Sequence, residues 1–306
     1  MNKVALIIPY FGSWPIWFEL YLLSCKEQKF IDFHFYTDCP QPGISYTNIY
    51  FHTISFKEYC MKVSKILHIQ FAPKHPYKLC DLRPFYGVIH REELAHYQFW
   101  GYGDIDLIYG DLRKFITPRM LEKYNLITTH ADRIAGHFTI IRYNSKYSTI
   151  CYKIKNWREK LIDEKGLGVD EHDMTMLIRP MNKYIWKIVR ILKKCVNIHN
   201  YTVFNLYNKI QNVFSSYFIK DYYTSPLPKD SEEWLYNLEK KTIISPNMRE
   251  IPYLHFLFFK KTPFWNNSHY WRDDFYKITQ EHMLKIRERR GHIRINNENI
   301  VYEENE

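Results

Sequence analysis

The sequence predicts an α/β fold in which a mixed, mostly parallel sheet is flanked by helices. Short apolar strand patterns alternate with helical patterns over residues 1–180. Polar and proline-containing turns follow the strand patterns, as expected for strands that end in loops at one edge of a sheet. The composition, with 46% hydrophobic and 25% charged residues in 306, supports one large folded domain with an elaboration.

The first third of the chain supplies three strand patterns and two helix patterns. The β-branched run 4–8 predicts a buried parallel strand, and residues 31–37 alternate as a second strand. A weaker strand pattern covers 47–52. Helical spacing covers 14–25, and a second helix is predicted from an N-cap at Ser55, with Glu58 in the capping-box position, to about Ile69.

The middle of the chain continues the alternation. Residues 77–90 predict a helix that contains Pro84, a residue that helix interiors disfavour. Further strands are predicted at 98–102, 126–129 and 137–142. Together these patterns predict a layered α/β fold with a mostly parallel sheet, and ligands of such sheets bind beyond the carboxyl ends of the strands.

Cysteine usage and the N-terminus predict a soluble, cytoplasmic protein. The six cysteines form no C-x-x-C pair and are spread along the chain, which favours a reducing compartment over a disulfide framework or a structural zinc site. The apolar run before Pro9 is too short for a signal peptide or a membrane span.

The basic residues divide the chain into three predicted parts: a ligand-binding α/β domain at 1–180, a basic amphipathic helical insert at 181–222, and a return to the core with a helical C-terminal tail at 223–306. Eight basic residues and no acidic one lie between 174 and 220, against a net charge of +10 for the whole chain. The helix at 183–196 is therefore expected either to contact an anionic membrane surface or a lipid-linked acceptor, or to pack on the main domain through its aliphatic face.

Two acidic residues at a strand end form the sharpest local signal. Asp104 and Asp106 follow the aromatic strand pattern 98–102, with an apolar run after them. Paired carboxylates at a strand-end turn can converge on one divalent cation. The alternative is a polar turn that closes a core strand.

A second signal is His255 inside the apolar stretch 251–259, followed by Lys260 and Lys261. Taken alone, the stretch favours a core histidine. With the two aspartates, His255 would complete a metal site, and the lysines would meet a phosphate as point charges.

Six stretches together resemble the GT-A nucleotide-sugar glycosyltransferases. More narrowly, they resemble a little-characterised bacterial family associated with capsular and surface polysaccharide synthesis, with a family-8-like order of motifs. The stretches are 7–12, 76–84, 100–112, 136–142, 169–171 and 253–261. The basic insert and the C-terminal tail lie outside the resemblance.

The resemblance implies a GT-A (Rossmann-like) fold and a divalent-metal-dependent transfer from a nucleotide sugar, with UDP-sugar as the favoured donor and a retaining outcome. It implies that Asp104, Asp106 and His255 hold Mn²⁺ or Mg²⁺. The acceptor would be a glycan or a lipid-linked glycan, handled at the inner face of the membrane. The implied donor-binding residues are Tyr10, Asp38, Lys78, Asp81, Arg83, Asp104, His137, Lys260 and Lys261. The same residues also allow purely structural interpretations. The 78–83 segment could form an exposed i,i+3 ion pair, and His137 could be a core or turn histidine.

The acidic group at 170–173 supplies the implied catalytic residues, Asp170 and Glu171. In an inverting transfer one of them would remove the proton of the acceptor hydroxyl. In a retaining transfer the leaving phosphate can take that proton, and the carboxylate orients the acceptor or the sugar. The alternative is an acidic helix N-terminus favoured by the helix dipole.

Two other functions fit part of the sequence. A metal-dependent phosphodiesterase or nuclease also uses paired aspartates, although no second group of carboxylates and histidines near Asp104 suggests a two-metal site. A nucleic-acid-binding protein could use the basic segment 174–220, but no nucleic-acid-binding motif accompanies it, and no nucleic-acid partner is expected.

Overall fold

The computed structural model describes residues 3–195, 200–227, 229, 231–259 and 275–304. The chain forms two compact units, each assembled from separate stretches. Unit 1 consists of residues 1–13, 30–104 and 118–221, and unit 2 of residues 14–29, 105–117 and 222–306.

The described strands are mostly short and are numbered in chain order. They are β1 (Val4–Pro9), β2 (Ile31–Thr37), β3 (Ile49–Thr53), β4 (Phe99–Gly103), β5 (Leu107–Tyr109), β6 (Leu126–Thr128), β7 (Phe138–Arg142), β8 (Tyr217–Ile219), β9 (Trp234–Asn237), β10 (Thr242–Ile244), β11 (Glu250–Ile251), β12 (Tyr253–His255), β13 (His292–Ile295) and β14 (Ile300–Glu303).

The described α-helices are α1 (Phe18–Lys26), α2 (Phe56–Leu67), α3 (Tyr86–Ile89), α4 (Pro118–Lys123), α5 (Trp157–Ile162), α6 (Met174–Ile178), α7 (Asn182–Cys195), α8 (Asn200–Phe214) and α9 (Gln280–Arg287). Tighter 3₁₀ segments lie at Pro76–Phe85, Leu112–Lys114, Lys146–Ser148, Ile150–Lys153 and Leu257–Phe259, and a π-helical turn lies at Val169–Asp173. Among the described helices, none combines the length and apolar character needed to cross a bilayer.

Unit 1 is built on a seven-stranded sheet in the order β3-β2-β1-β4-β7-β6-β8. The pairs β1–β2, β2–β3, β1–β4 and β6–β8 are parallel, and β7 runs antiparallel to both of its neighbours. The prediction of a mixed, mostly parallel sheet in an α/β fold is confirmed.

The antiparallel strand β7 determines which loops meet at the sheet edge. Its first residue, Phe138, pairs with Gly103, the last residue of β4. The chain entering β7 therefore lies at the same edge as the chain leaving the parallel strands. This edge collects the residues that precede β7 together with those that follow β1, β2 and β4.

A capping box and a proline explain two of the helix boundaries in unit 1. The Ser55 side chain accepts a hydrogen bond from the Glu58 backbone, and the Glu58 carboxylate accepts one from the Ser55 backbone, so the predicted capping box opens α2. The predicted single helix at 77–90 is wrong. Pro84 has no N–H to donate, and the chain instead forms the 3₁₀ segment Pro76–Phe85, followed by the single turn α3.

Two of the buried histidines in unit 1, His34 and His90, lie among hydrogen-bonding neighbours. The ring of His34 contacts His52 at 3.0 Å and the Tyr97 hydroxyl at 2.9 Å. The ring of His90 contacts the Tyr59 hydroxyl at 2.9 Å and, on its other nitrogen, the Lys62 ammonium at 3.3 Å. Burial lowers the pKa of both His34 and His90 to about 4 from the ordinary value of 6.5.

Acidification is therefore expected to destabilise the fold before most carboxylates titrate. The neutral rings stabilise the fold fully above pH 6.5, and this contribution is lost as the pH falls from 6.5 towards 4, because the unfolded chain binds the protons first. The loss amounts to roughly 3 kcal/mol per histidine. Urea unfolding across this range should show the free energy falling with pH. His34→Gln/His90→Gln should flatten that slope, and an unchanged slope would contradict the assignment.

Unit 2 contains a five-stranded antiparallel sheet in the order β11-β10-β9-β13-β14 and a separate β12–β5 ladder. Aromatic side chains pack inside it: the Trp17 ring meets Phe256 edge-on, and its indole N–H donates to the Ile105 carbonyl at 3.0 Å. The C-terminal part predicted as a helical tail contains α9, followed by the strands β13 and β14.

Candidate active site

The residues after β1 and β2 form one linked pair of loops in unit 1. The Asp38 carboxylate, directly after β2, accepts a hydrogen bond from the Gly12 backbone at 2.8 Å. The Tyr10 hydroxyl donates to the Ser13 carbonyl at 2.9 Å. Asp38 therefore fixes the loop that follows β1, at the carboxyl edge of the sheet.

Arg83 joins two acidic residues that are distant in sequence. One terminal nitrogen of its guanidinium, Nη1, donates to Asp170 Oδ2 at 2.6 Å, and the other, Nη2, donates to Asp104 Oδ1. The backbone N–H of Asp104 donates to the carbonyl of His137 at 3.0 Å. The 3₁₀ segment, the end of β4, the π-helical turn and the chain entering β7 thus converge on one cluster.

Burial gives this cluster unusual acid–base properties. It raises the pKa of Asp170 to about 6, and the neighbouring Arg83 charge opposes the rise. Burial works against the charged form of Arg83, yet Asp104 and Asp170 raise its pKa further above the ordinary value. Asp170 therefore changes charge near neutral pH, whereas Arg83 stays positive.

Glu171 is held at the same place by a different set of contacts. Its Oε1 accepts a hydrogen bond from the Gly136 backbone at 3.1 Å, and its Oε2 lies 3.3 Å from Nε of Arg133. A Cβ at Gly136 would lie 2.7 Å from both Arg83 Nη1 and Asp170 Oδ2, so a larger residue would displace the ends of these two side chains.

The turn that carries Asp170 and Glu171 begins at a backbone position suited to glycine. Gly168 has φ +66°, in the left-handed region, immediately before the π-helical turn. Such π-helical turns are frequent at functional sites. The acidic group predicted at a helix N-terminus therefore lies in this turn, directly ahead of α6.

Lys78 and Asp81 form a buried ion pair that contacts the chain leading into this turn. Lys78 Nζ donates to Asp81 Oδ2 at 2.9 Å and to the carbonyls of Lys160 and Lys165 at 2.7 and 2.6 Å. Asp81 accepts hydrogen bonds from two backbone amides, those of Leu167 and Val169, each at 2.9 Å. All three ammonium protons are used within the protein, so this pair holds the chain that leads to Asp170.

Unit 2 contains a buried carboxylate–imidazole pair. Asp106 precedes β5 and His255 ends β12, and these strands pair antiparallel. His255 Nε2 lies 3.4 Å from Asp106 Oδ1, and both side chains are less than one-tenth exposed. The Ser225 hydroxyl contacts His255 Nδ1 at 2.7 Å, which directs Nε2 towards Asp106. A carboxylate and an imidazole held in this way are ordinary ligands for a divalent transition metal.

The described residues therefore separate the predicted site residues into groups. Arg83, Asp104, Asp170 and Glu171 form one cluster in unit 1, with the His137 backbone attached to it. Tyr10 and Asp38 lie in the linked loops after β1 and β2. Lys78 and Asp81 hold the chain that leads to Asp170. Asp106 and His255 are paired in unit 2. The predicted donor-binding residues Lys260 and Lys261 lie outside the described residues.

Three residues that contribute to these groups were not predicted as site residues. Arg133 pairs with Glu171, Gly136 gives room to the Arg83 bridge, and Ser225 orients His255. A glycine directly before His137 was a usable signal. No local pattern indicated Arg133 or Ser225, because their partners, Glu171 and His255, lie 38 and 30 residues away in the chain.

Comparisons with known proteins give a family match and similarities to solved structures. A family model with the description "Family of unknown function (DUF6625)" matches residues 6–287. No curated protein sequence matches the chain. A crystal structure of the glycosyltransferase GlyE from Streptococcus pneumoniae TIGR4 aligns at 10% identity over 72% of this chain and 45% of that chain, with a TM-score of 0.25. Its apo form aligns at 9% identity over 74% and 46%, with the same TM-score. This chain thus spans less than half the length of either solved chain.

Proposed function

The chain belongs to the DUF6625 family, whose function is unknown, and we propose that it is a glycosyltransferase that moves a sugar from a nucleotide-sugar donor to a glycan or lipid-linked acceptor. The observation that carries this proposal is the Arg83 bridge between Asp104 and Asp170 at the carboxyl edge of a mostly parallel sheet. Ligands of open α/β sheets bind at such edges, and the bridge places acidic and basic groups together there.

Asp104, Asp106 and His255 are the proposed ligands of a divalent cation, Mn²⁺ or Mg²⁺. Two observations support this set. Asp106 and His255 already form a buried pair of suitable ligand types, and Asp104 is separated from Asp106 by a single residue. When bound, such a cation would neutralise the diphosphate of the donor and act as a Lewis acid.

The remaining predicted donor-binding residues are assigned by their positions in unit 1. Asp38 and Tyr10, in the loops after β2 and β1, are proposed to contact the nucleoside, for which we favour uridine. Arg83, in the 3₁₀ segment Pro76–Phe85, and His137, directly before β7, are proposed to contact the diphosphate and the sugar. Lys78 and Asp81 are proposed to position this site through the chain before Asp170, rather than to touch the donor.

Asp170 and Glu171 are the proposed catalytic carboxylates. Cleavage of the anomeric C–O bond develops positive charge on the sugar ring, and a carboxylate beside the ring stabilises that charge. We favour a retaining transfer, in which the departing diphosphate takes the proton of the acceptor hydroxyl and Asp170 orients the reacting groups. Glu171, held by the Gly136 backbone and Arg133, would hydrogen-bond the acceptor.

The metal assignment is tested by substituting both aspartates. Asp104→Asn/Asp106→Asn is expected to lower Mn²⁺-dependent release of UDP from UDP-sugars at least about 100-fold, because amides are weaker ligands than carboxylates. The readout is chromatography of the nucleotide products from a panel of UDP-sugars. A matched control, Asp111→Asn/Asp163→Asn, removes the same charge elsewhere and should retain wild-type release.

The identity of the released nucleotide separates the proposed reaction from phosphodiester cleavage. UDP results when the bond to the sugar is broken, whereas UMP results when the diphosphate is broken. Release of UMP by the wild-type protein would contradict sugar transfer. Retention of full Mn²⁺-dependent UDP release by the double variant would contradict the metal ligands.

A further inference from the structure

Helices α7 and α8 of unit 1 have one well-packed face. Val189 of α7 and Phe204 of α8 form a small buried cluster with Ala131, and the Trp186 and Phe204 rings lie 4.9 Å apart. The Asn208 amide on α8 donates to the Ala131 carbonyl at 2.8 Å. These contacts fix which sides of the two helices are turned towards the rest of unit 1.

The opposite sides carry a concentration of exposed apolar side chains. On α7 and the residue before it they recur at intervals of three and four residues, which places them in one stripe. Eight of the 21 large hydrophobic residues that are exposed within the described residues lie between 181 and 214. These eight, which define the α7–α8 outer surface, are Met181, Tyr184, Ile188, Ile191, Leu206, Ile210, Val213 and Phe214.

Basic side chains border the α7–α8 outer surface. Lys183, Lys187 and Arg190 are exposed on α7 beside the apolar stripe, and no acidic residue occurs between 174 and 220. The Lys183 and Lys187 ammonium groups lie 4.8 and 5.9 Å from the centre of the Tyr184 ring. Long basic chains in such positions can keep their charges in water while their stems cover apolar surface.

We propose that the α7–α8 outer surface docks on an anionic lipid leaflet. Its charge is complementary to phosphate-bearing lipid headgroups, and its aliphatic side chains can enter the boundary between headgroups and acyl chains. This docking is independent of the sugar-transfer proposal. It deepens the prediction for the 183–196 helix by adding α8; residue 196 lies outside the described residues.

The charge and the aliphatic character of the α7–α8 outer surface argue against two other partners, a second copy of the chain and a nucleic acid. A second copy of the chain would bring two basic, acid-free surfaces together, and like charges would oppose that contact. A single-stranded nucleic acid would match the charge, but its bases stack on aromatic rings, and six of the eight residues of the surface are aliphatic.

The test is cosedimentation of the full chain with vesicles of phosphatidylcholine alone or mixed with phosphatidylglycerol. We expect binding to the mixed vesicles that weakens as NaCl is raised, and little binding to phosphatidylcholine. Lys183→Gln/Lys187→Gln/Arg190→Gln should weaken partitioning about 100-fold, because each basic residue contributes about fivefold near the leaflet. Ile188→Ser/Ile191→Ser keeps the charge and should weaken partitioning about tenfold.

Two matched controls distinguish this surface from the protein's general charge and hydrophobicity. Lys57→Gln/Lys65→Gln/Lys155→Gln removes three exposed charges elsewhere, and Met61→Ser/Leu284→Ser removes two exposed apolar side chains elsewhere. Both should bind vesicles as the wild type does. Thermal melts check that each variant remains folded, as expected for substitutions at exposed positions.

Four results would overturn the proposal. These are absence of binding to the anionic vesicles, equal losses in the control and surface variants, displacement from vesicles by a single-stranded oligonucleotide that binds more tightly, and a stable dimer that Ile188→Ser/Ile191→Ser dissociates. Loss of vesicle binding in the surface variants, with unchanged UDP release in solution, would support it.

Discussion

Replacing Asp170 by asparagine is expected to lower the rate of sugar transfer about 100-fold or more. The asparagine would have the shape of the native side chain but no negative charge beside the Arg83 guanidinium, which Asp170 contacts at 2.6 Å. The variant should remain folded, because the Arg83 guanidinium keeps its ion pair with Asp104. The measurement is the initial rate of transfer, or of UDP release where no acceptor is known, at saturating Mn²⁺.

The pH dependence of the activity tests the role of Asp170 in a second way. Burial raises the pKa of Asp170 to about 6, so wild-type activity should fall as the pH drops below 6 and protonation removes the carboxylate charge. D170N should lack this acidic limb. Asp173→Asn is the matched control, since Asp173 lies in the same turn but pairs with Lys160 at 2.5 Å. A rate for D170N within about threefold of wild type would contradict the catalytic role.

Replacing Asp81 by alanine is expected to cost about 3–5 kcal/mol of folding free energy. The substitution would leave the Lys78 ammonium buried without its 2.9 Å partner and would remove the acceptor for the Leu167 and Val169 amides. The melting temperature should fall by roughly 5–8 °C. Activity should also fall, because the chain held by Asp81 leads directly to Asp170.

Two further variants show whether the loss of stability comes from breaking a buried ion pair or from removing a charge in general. Lys78→Met/Asp81→Leu removes the unpaired buried charge and should recover part of the lost stability, while the Leu167 and Val169 amides remain without their acceptor. Lys114→Ala breaks the Lys114–Glu250 pair at 2.8 Å, whose side chains are 48% and 30% exposed, and should cost at most about 1 kcal/mol. If Asp81→Ala is no more destabilising than Lys114→Ala, the supporting role assigned to the buried pair is incorrect.

The elements predictable from the sequence were those that local patterns define. The apolar run of β1, the alternation of β2 and the Ser55–Glu58 capping box each act within a few residues. The strands of the unit 2 sheet are two to four residues long, too short to display a periodic pattern. The expectation of a helical C-terminal tail therefore missed β13 and β14.

The candidate site was predictable as a set of residue types but not as an arrangement. Arg83 meets Asp104 and Asp170 across 21 and 87 residues of chain, and only the pairing of β4 with β7 brings the neighbouring loops together. The sequence of Lys78 and Asp81 is equally compatible with an exposed ion pair at i,i+3. Their burial depends on the carbonyls of Lys160 and Lys165, which local patterns do not reveal.

The central claim is that the site binds a nucleoside diphosphate together with a divalent cation. The most direct measurement is the thermal stability of the wild-type protein with UDP, CDP, GDP or ADP, each with Mn²⁺ or with EDTA. A nucleotide at about a hundred times its dissociation constant adds about 2.7 kcal/mol, which corresponds to a shift of roughly 4 °C. We expect such a shift with UDP and Mn²⁺, and we expect it to disappear with EDTA. No shift with any of the four nucleotides in Mn²⁺, or an equal UDP shift in EDTA, would contradict this claim.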